Sequence, residues 1–420
     1  MENRQKSYHL SPADVEWALI NLNHLVFDVT DACNLRCKYC VYGDLYSGFG
    51  DHLSHFLPVE DAKAVIDYLV ELWENHPSFA PESCFYVNFF GGEPLMNFHF
   101  IHQVVSYINS LNHSRVFSFG MTSNCLLLDR YMDFLVENDF QLLCSLDGDR
   151  EADSYRVRLD GSPSFDKVYK NLKLLREKYP SYFESESVRF NAVLHDRNNV
   201  QDLISFFEKE FNKTPTIGEL NDSGIREDQK SRFNAIFRSK SEDICRSENP
   251  EKLKKSLDFE DPDSRALMFY LKSTTGNSFR SYNDLLIEDD GEPSFLTGTC
   301  LPFTRLMNIK ADGTILQCSK IHDRFILGKV KNGEVQLDFE EICNFYNRCI
   351  DKLIPQCRVC ANKKTCGSCF YYIDGIDTAN VRCPDFLTKN QLKQQENRLL
   401  RYLYEHPELY RKFLCETVLI

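Results

Sequence analysis

Cys33, Cys37 and Cys40 stand in the segment DACNLRCKYCVYGD, separated by three and then two residues. One loop can therefore wrap three thiolates around a single guest. Thiolates select soft metals, which narrows the guest to zinc or an iron–sulfur cluster. Three ligands would leave one iron of a four-iron cluster open, and an open iron is what a chelating cofactor requires. Tyr39, directly before the third cysteine, is placed to shield such a cluster.

Three short motifs lie downstream: GGEP at 91–94, TSN at 122–124 and SLDG at 145–148. The paired Gly91 and Gly92 remove side-chain obstruction and can turn backbone N–H and C=O groups toward a ligand, with Glu93 beside them. Asn124 and Ser145 are short hydrogen-bonding residues, and Arg156, in EADSYRVRLDGSPSF, offers a planar fork to a carboxylate. Taken singly these are also what a tight turn, two loop caps and a solvated arginine look like. Asn191 is a weaker candidate for a ligand contact.

A second set of cysteines begins at Cys300, continues with Gly313 and Cys318, and closes with Cys357, Cys360, Cys366, Cys369 and Cys383. The intervening NIKADGTILQC reads as a β-hairpin with a DG turn. CxxC and CGSC alone fit a zinc site. Cysteines 84, 125, 144, 245, 343, 349 and 415 read as small buried hydrophobes.

The elements that must position these groups alternate. HLVFDVT (24–30), CFYVNFF (84–90), RVFSFGM (115–121), FQLLCSL (140–146), SVRFNAVL (187–194) and TPTIGEL (214–220) read as strands. Residues 58–73, 98–111, 129–138, 164–179 and 199–211 carry apolar side chains at three- and four-residue spacing, as helices packing on a sheet do. The expected fold is α/β: a partial (β/α)6 barrel of parallel strands, with too few units for eight-fold closure. Every suspicious motif then falls at the C-terminal ends of strands, where such sheets carry function. Residues 1–23 read as an N-terminal extension, 24–220 as the barrel, 221–297 as a charged, mostly helical insertion, and 298–386 as a cysteine-rich domain. Residues 387–420 read as a C-terminal helical region whose amphipathic helix runs from Leu387 to about Glu405, with Leu392, Leu399, Leu400 and Leu403 on one face and Pro407 as its stop.

At the cysteine triplet the chain resembles the radical S-adenosylmethionine superfamily, whose CxxxCxφC motif (φ aromatic) is met at every position. The resemblance implies a [4Fe–4S] cluster on Cys33, Cys37 and Cys40. Its open iron would chelate S-adenosylmethionine and its electron would release a 5′-deoxyadenosyl radical that abstracts hydrogen. It further implies that Gly91, Gly92 and Glu93 hold the methionine amine, that Asn124 and Ser145 contact the ribose, and that Arg156 pairs with the cofactor carboxylate. Tyr39 and Asn191 become candidates for the adenine. The arginine segment departs from the family pattern at Ala152, where a histidine is usual. The later cysteines resemble a SPASM domain, implying auxiliary [4Fe–4S] clusters on Cys357, Cys360, Cys366 and Cys383 and on Cys300, Cys318 and Cys369. The second set lacks a fourth cysteine, so that position is open to a substrate thiol or to Cys343 or Cys349.

Such domains accompany enzymes that modify peptides, which makes a peptide maturase with a ribosomally made substrate the favoured reading. An anaerobic sulfatase maturase is the rival; Asn88-Phe89-Phe90 stands where those enzymes usually carry Trp-Gln before GGEP. A non-catalytic electron carrier or scaffold is the reading from another class. An electron donor such as flavodoxin or ferredoxin is implied. Only about 23 residues precede strand one, so leader recognition is expected from the 221–297 region, from a separate leader-binding protein, or not at all. The chain has 420 residues with 49 basic against 62 acidic side chains, a net charge of −13. That balance argues against nucleic acid or an anionic membrane as partner. No apolar run suits a membrane span and the N-terminus lacks a secretory pattern, so a cytoplasmic, oxygen-sensitive enzyme is expected. In that compartment 17 cysteines suit metal ligation better than disulfides.

Overall fold

The computed structural model describes residues 9–49, 54–76, 84–257, 261–275, 298–363, 366–373, 375–378 and 381–415. Contacts divide the chain into two compact units: residues 20–253 with 306–337, and residues 1–19 with 254–305 and 338–420.

The first unit is built on one ten-stranded sheet. Six parallel strands follow the chain in order: β1 (His24–Thr30), β2 (Phe85–Gly91), β3 (Phe117–Ser123), β4 (Gln141–Ser145), β5 (Val188–Val193) and β6 (Thr216–Gly218). Between them come α1 (Val59–Asn75), α2 (Phe98–Ser110), α3 (Leu128–Glu137), α4 (Phe165–Lys178) and α5 (Val200–Phe211). All six strands and five helices lie where hydrophobic period placed them. In β5 the period is two: Val188, Phe190 and Ala192 are buried, whereas Arg189 is exposed and Asn191 half-buried. The buried face meets α5, whose Val200, Leu203, Ile204, Phe207 and Phe211 recur at helical spacing. The Phe190 ring lies 5.0 Å from Phe207 and 4.9 Å from Phe211.

β1 is buried along nearly its whole length because it is paired on both edges. Its second partner comes from the cysteine-rich segment. β7 (Met307–Ile309) runs parallel to β1, and β8 (Thr314–Leu316), β9 (Gly328–Lys331) and β10 (Glu334–Leu337) continue the sheet as an antiparallel meander. The DG turn between β7 and β8 is present, with Gly313 at φ +81°. The segment 298–386 is thus divided between the units. Residues 306–337 extend the sheet, with Met307, Asn308 and Ile309 fully enclosed beside β1. The β9–β10 turn is anchored from α1: the buried Asp61 carboxylate accepts the Gly333 N–H at 2.7 Å.

The second unit is helical in its described parts. α6 (Pro262–Thr275) contributes Leu267, Met268 and Leu271 to a core shared with Leu399 and Phe413. α7 (Phe339–Val359) is capped by Asp338 and buries a stripe that includes Cys343, Tyr346, Cys349 and Cys357. The C-terminal region forms the helix expected to about Glu405 and, after Pro407, a second one. α8 (Lys389–Glu405) opens on a capping box of Thr388 and Gln391, and α9 (Glu408–Cys415) begins after Pro407. Leu400 does not share the buried face: it is 47% exposed while Leu399 is buried. One residue along a helix turns the side chain by about 100°, so only one of the two leucines can face α6. The insertion after β6 carries helices Lys230–Ile236, Lys240–Arg246 and Pro250–Leu257; residues 276–297 lie outside the described residues.

Asp61→Ala removes the acceptor for the Gly333 N–H and should cost about 1–3 kcal/mol. The check is a urea unfolding midpoint, which should fall while reconstituted iron content stays at the wild-type value.

Candidate radical site at the C-terminal ends of the strands

The loop after β1 has no regular structure of its own, yet it is held from three sides. Its backbone pairs with the segment before α4: Arg36 N–H donates to Val157 O at 2.7 Å and Lys38 N–H to Tyr155 O at 3.0 Å. Within the loop, Cys40 N–H donates to Cys37 O at 3.1 Å and Gly43 N–H to Cys40 O at 2.9 Å. Asn124, at the end of β3, donates from Nδ2 to Asn34 Oδ1 at 2.8 Å and lies 3.8 Å from Cys33 Sγ. The same sulfur accepts the Leu35 N–H at 3.4 Å.

The end of β2 supplies the third support. Gly92 N–H donates to Thr30 O at 2.8 Å and Glu93 N–H to Ala32 O at 3.0 Å. A Cβ at Gly91 would stand 2.2 Å from Thr30 O, and one at Gly92 the same distance from Ala32 O. What the paired glycines approach, then, is the main chain leading into Cys33. Glu93 is buried and both carboxylate oxygens are engaged: Oε1 accepts from Ser123 Oγ at 2.8 Å and Leu95 N–H at 3.2 Å, Oε2 from Asn124 N–H at 2.8 Å. It clamps the end of β2 to the end of β3. Burial pushes its pKa up, against the pull of those hydrogen bonds.

Behind the triplet sits a buried polar network. Arg156 Nη1 donates to Tyr39 Oη at 3.1 Å and its Nε is 3.7 Å from Asp153 Oδ1. The Tyr39 hydroxyl in turn donates to Asp147. Burial would lower the Arg156 pKa, but Tyr39, Cys37, Asp147 and Asp153 together drive it upward. Asp153 is pushed up to about 8, first by burial and then by Asp147. Ser145 and Asn191 are in register across β4 and β5, half-buried on the sheet face away from the helices. Neither side chain makes a hydrogen bond among the described residues. Ala152 is buried, its Cβ 3.0 Å from where a Cβ on Gly148 would stand.

Sequence reading missed Asn34, Asp147, Asp153 and His195. Asp147 was visible inside SLDG, but nothing set it apart from Ser145. His195 is one isolated histidine after a strand, with no spacing to mark it.

The donor set fits a four-iron cluster. Each cysteine of such a cluster binds a different iron, so the thiols line a space and need not converge on a point. No three His, Cys, Asp or Glu side chains among the described residues converge as a single ion demands. N–H groups directed at Cys33 Sγ are the contacts that stabilise thiolate ligands. Burial raises the Cys33 pKa to about 11 and that of Cys37 to about 12. Iron binding must therefore displace their protons.

In the second unit, Cys357, Cys360, Cys366 and Cys383 line one cavity with Leu353, Gln356, Ile373 and Phe386. Cys360 Sγ accepts the Leu387 N–H at 3.4 Å, and Cys383 N–H donates to Gln356 Oε1 at 3.0 Å. Cys300 and Cys369 are brought near each other through their neighbours, as Phe370 N–H donates to Thr299 Oγ1 at 2.8 Å. Cys318 belongs to the first unit, where its Sγ accepts the Lys320 N–H at 3.4 Å. Cys343 and Cys349 are core residues of α7.

The family model of the radical SAM superfamily matches residues 27–209. The barrel is a radical SAM domain. Domains of this superfamily use a [4Fe–4S] cluster and S-adenosylmethionine, and several relatives of this one are named as enzymes. A cysteine-type anaerobic sulfatase-maturating enzyme of Clostridium novyi (strain NT) is 25% identical over 48% of this chain and 53% of its own length. The radical SAM cyclopropyl synthase TigE of Paramaledivibacter caminithermalis is 25% identical over 40% of this chain and 34% of its own. The chain thus spans about half or less of these two relatives. A sulfatase-maturating enzyme of Clostridium perfringens (strain 13 / Type A) is 23% identical over 83% of this chain and 88% of its own length. A solved structure described as native anSMEcpe with bound AdoMet and Cp18Cys peptide has the same fold. It covers 94% of this chain and 99% of its own, with a TM-score of 0.58 at 20% identity. No described helix is long and apolar enough to cross a membrane.

Gly92→Ala places a Cβ against Ala32 O and must push the radical SAM loop away from β2. Iron retained at Cys33, Cys37 and Cys40 should fall severalfold, read as iron per chain after anaerobic reconstitution. A wild-type value would show that the loop does not depend on this approach.

Proposed function

We propose that the protein is a SPASM-group radical SAM maturase that modifies a peptide. The observation that carries this reading is the second thiol cavity: Cys357, Cys360, Cys366 and Cys383 share one site. That is the quartet whose spacing resembles the first auxiliary cluster of the SPASM pattern. When bound at the barrel, the cluster and S-adenosylmethionine supply a 5′-deoxyadenosyl radical for hydrogen abstraction. This chain's residues hold and orient. Cys33, Cys37 and Cys40 ligate the cluster. The Nη2 of Arg156 makes no hydrogen bond among the described residues and is left for the methionine carboxylate. Ser145 and Asn191 offer polar groups to the nucleoside, and Gly91, Gly92 and Glu93 shape the wall beside the methionine amine. Cys300, Cys318 and Cys369 are proposed ligands of a second auxiliary cluster. Electrons come from a small donor of the flavodoxin or ferredoxin kind, and a ribosomally made peptide is the substrate.

Sulfatase maturation is the second reading, supported by the names of the relatives above and by the shared fold. The two diverge at β2, where Asn88 and Phe90 are half-buried on the face opposite the helices. Side chains on that face would meet a substrate at the barrel interior, so their difference from Trp-Gln supports a different substrate.

Anaerobically reconstituted protein should hold about twelve irons, as three four-iron clusters imply, and form 5′-deoxyadenosine on reduction. Cys37→Ala should abolish 5′-deoxyadenosine. Cys366→Ala should spare it while product formation is lost, and equal loss of both would sink the auxiliary role. Synthetic sulfatase peptides carrying cysteine or serine should emerge unmodified by mass spectrometry; formylglycine in either would overturn the first reading in favour of the second.

A further inference from the structure

Arg156 is only 7% exposed, and what holds it in place reaches well beyond its own segment. Its guanidinium donates to the Tyr39 hydroxyl, which donates to Asp147. Asp147 is wholly buried; Oδ1 accepts the Val193 N–H at 2.9 Å, and Oδ2 lies 3.8 Å from His195 Nε2. His195 is wholly buried as well, and its Nδ1 accepts the Arg197 N–H at 3.2 Å. With Nδ1 occupied as an acceptor, the neutral ring carries its proton on Nε2, which lies 3.8 Å from Asp147 Oδ2 and 3.4 Å from Asn198 Nδ2. The imidazole also stacks on the Tyr39 ring, with centroids 5.8 Å apart and planes at 29°. Residues at the ends of β4 and β5 thus fix the phenol from its hydroxyl and its face, and the phenol fixes the guanidinium.

Arg156 is the cation whose field favours the thiolate at Cys33, Cys37 and Cys40 alike. A fixed positive charge beside a cluster stabilises the reduced form, which carries one more negative charge. We infer that Asp147 and His195 are positioning residues: acting through Tyr39, they hold the Arg156 charge against the cysteine loop and so raise the reduction potential of the cluster bound there. The inference rests on the radical SAM reading of that loop, and it assigns these two residues no contact with substrate.

The test is an EPR-monitored redox titration of reconstituted full-length protein, following the signal that responds to added S-adenosylmethionine. Arg156→Gln should shift that midpoint to more negative potential. Tyr39→Phe and His195→Phe keep ring volume and formal charge while deleting the hydrogen-bonding group. Both should shift the midpoint the same way by a smaller amount, with iron per chain unchanged. His195→Gln, which restores an N–H donor, should return it toward the wild-type value. Wild-type potentials in Tyr39→Phe and His195→Phe alongside a shifted Arg156→Gln would remove the positioning role. An unshifted Arg156→Gln would remove the electrostatic premise. Should His195→Phe fail to fold, Tyr39→Phe decides alone. Absence of any S-adenosylmethionine-responsive cluster in the wild type would fall on the reading of the loop itself.

Discussion

The central constraint on the barrel is that residues 31–40 must be rigid without being a helix or a strand. A helix would put the three thiols on one face but string them along about 10 Å of its axis, and a strand would put Cys33 and Cys37 on one face and Cys40 on the other. A loop can present all three to one guest, but a loop is stiff only if other elements make it so. Here the stiffness is borrowed. The segment 155–158 pairs with it, Asn124 bonds to Asn34, and the glycines at the end of β2 let a second main chain run against Thr30 and Ala32. The parallel sheet makes this possible, since the C-terminal ends of β1 to β5 converge on one rim.

The second consequence is electrostatic. Three thiols and the carboxylates of Glu93, Asp147 and Asp153 are buried together, and burial disfavours every negative charge among them. Arg156 is the cation that offsets this, and burial alone would have opposed its charge too. It stays charged because its anionic neighbours surround it. Glu93 survives as a clamp by a different route, through two N–H groups and one hydroxyl directed at its carboxylate.

The sequence foretold the elements well because each depends on local period. Val188, Phe190 and Ala192 alternate, and Val200, Leu203, Ile204 and Phe207 recur at helical spacing, without reference to anything distant. It foretold the thiol sets for the same reason, as ligands on one loop must be close in the chain. It misjudged Leu400 because a helix with leucines at both 399 and 400 does not say which one faces its neighbour. It also treated 298–386 as one stretch, since nothing in the period of β7 says that its partner is β1, some 280 residues earlier.

What could not be read at all is the network behind the triplet. Tyr39, Asp147, Arg156 and His195 come from four separate segments, and each has an ordinary explanation when seen alone. Tyr39 passes as a cluster shield, Arg156 as a surface cation, His195 as an isolated histidine. Only the fold puts His195 face to face with Tyr39 and both beside Asp147. Motifs that bind a guest are compressed into short spacings by the guest's size, whereas residues that tune the guest's surroundings need only meet in space. The tuning layer of a site of this kind is therefore carried by tertiary structure, and a buried, mutually bonded set of charges is its physical signature.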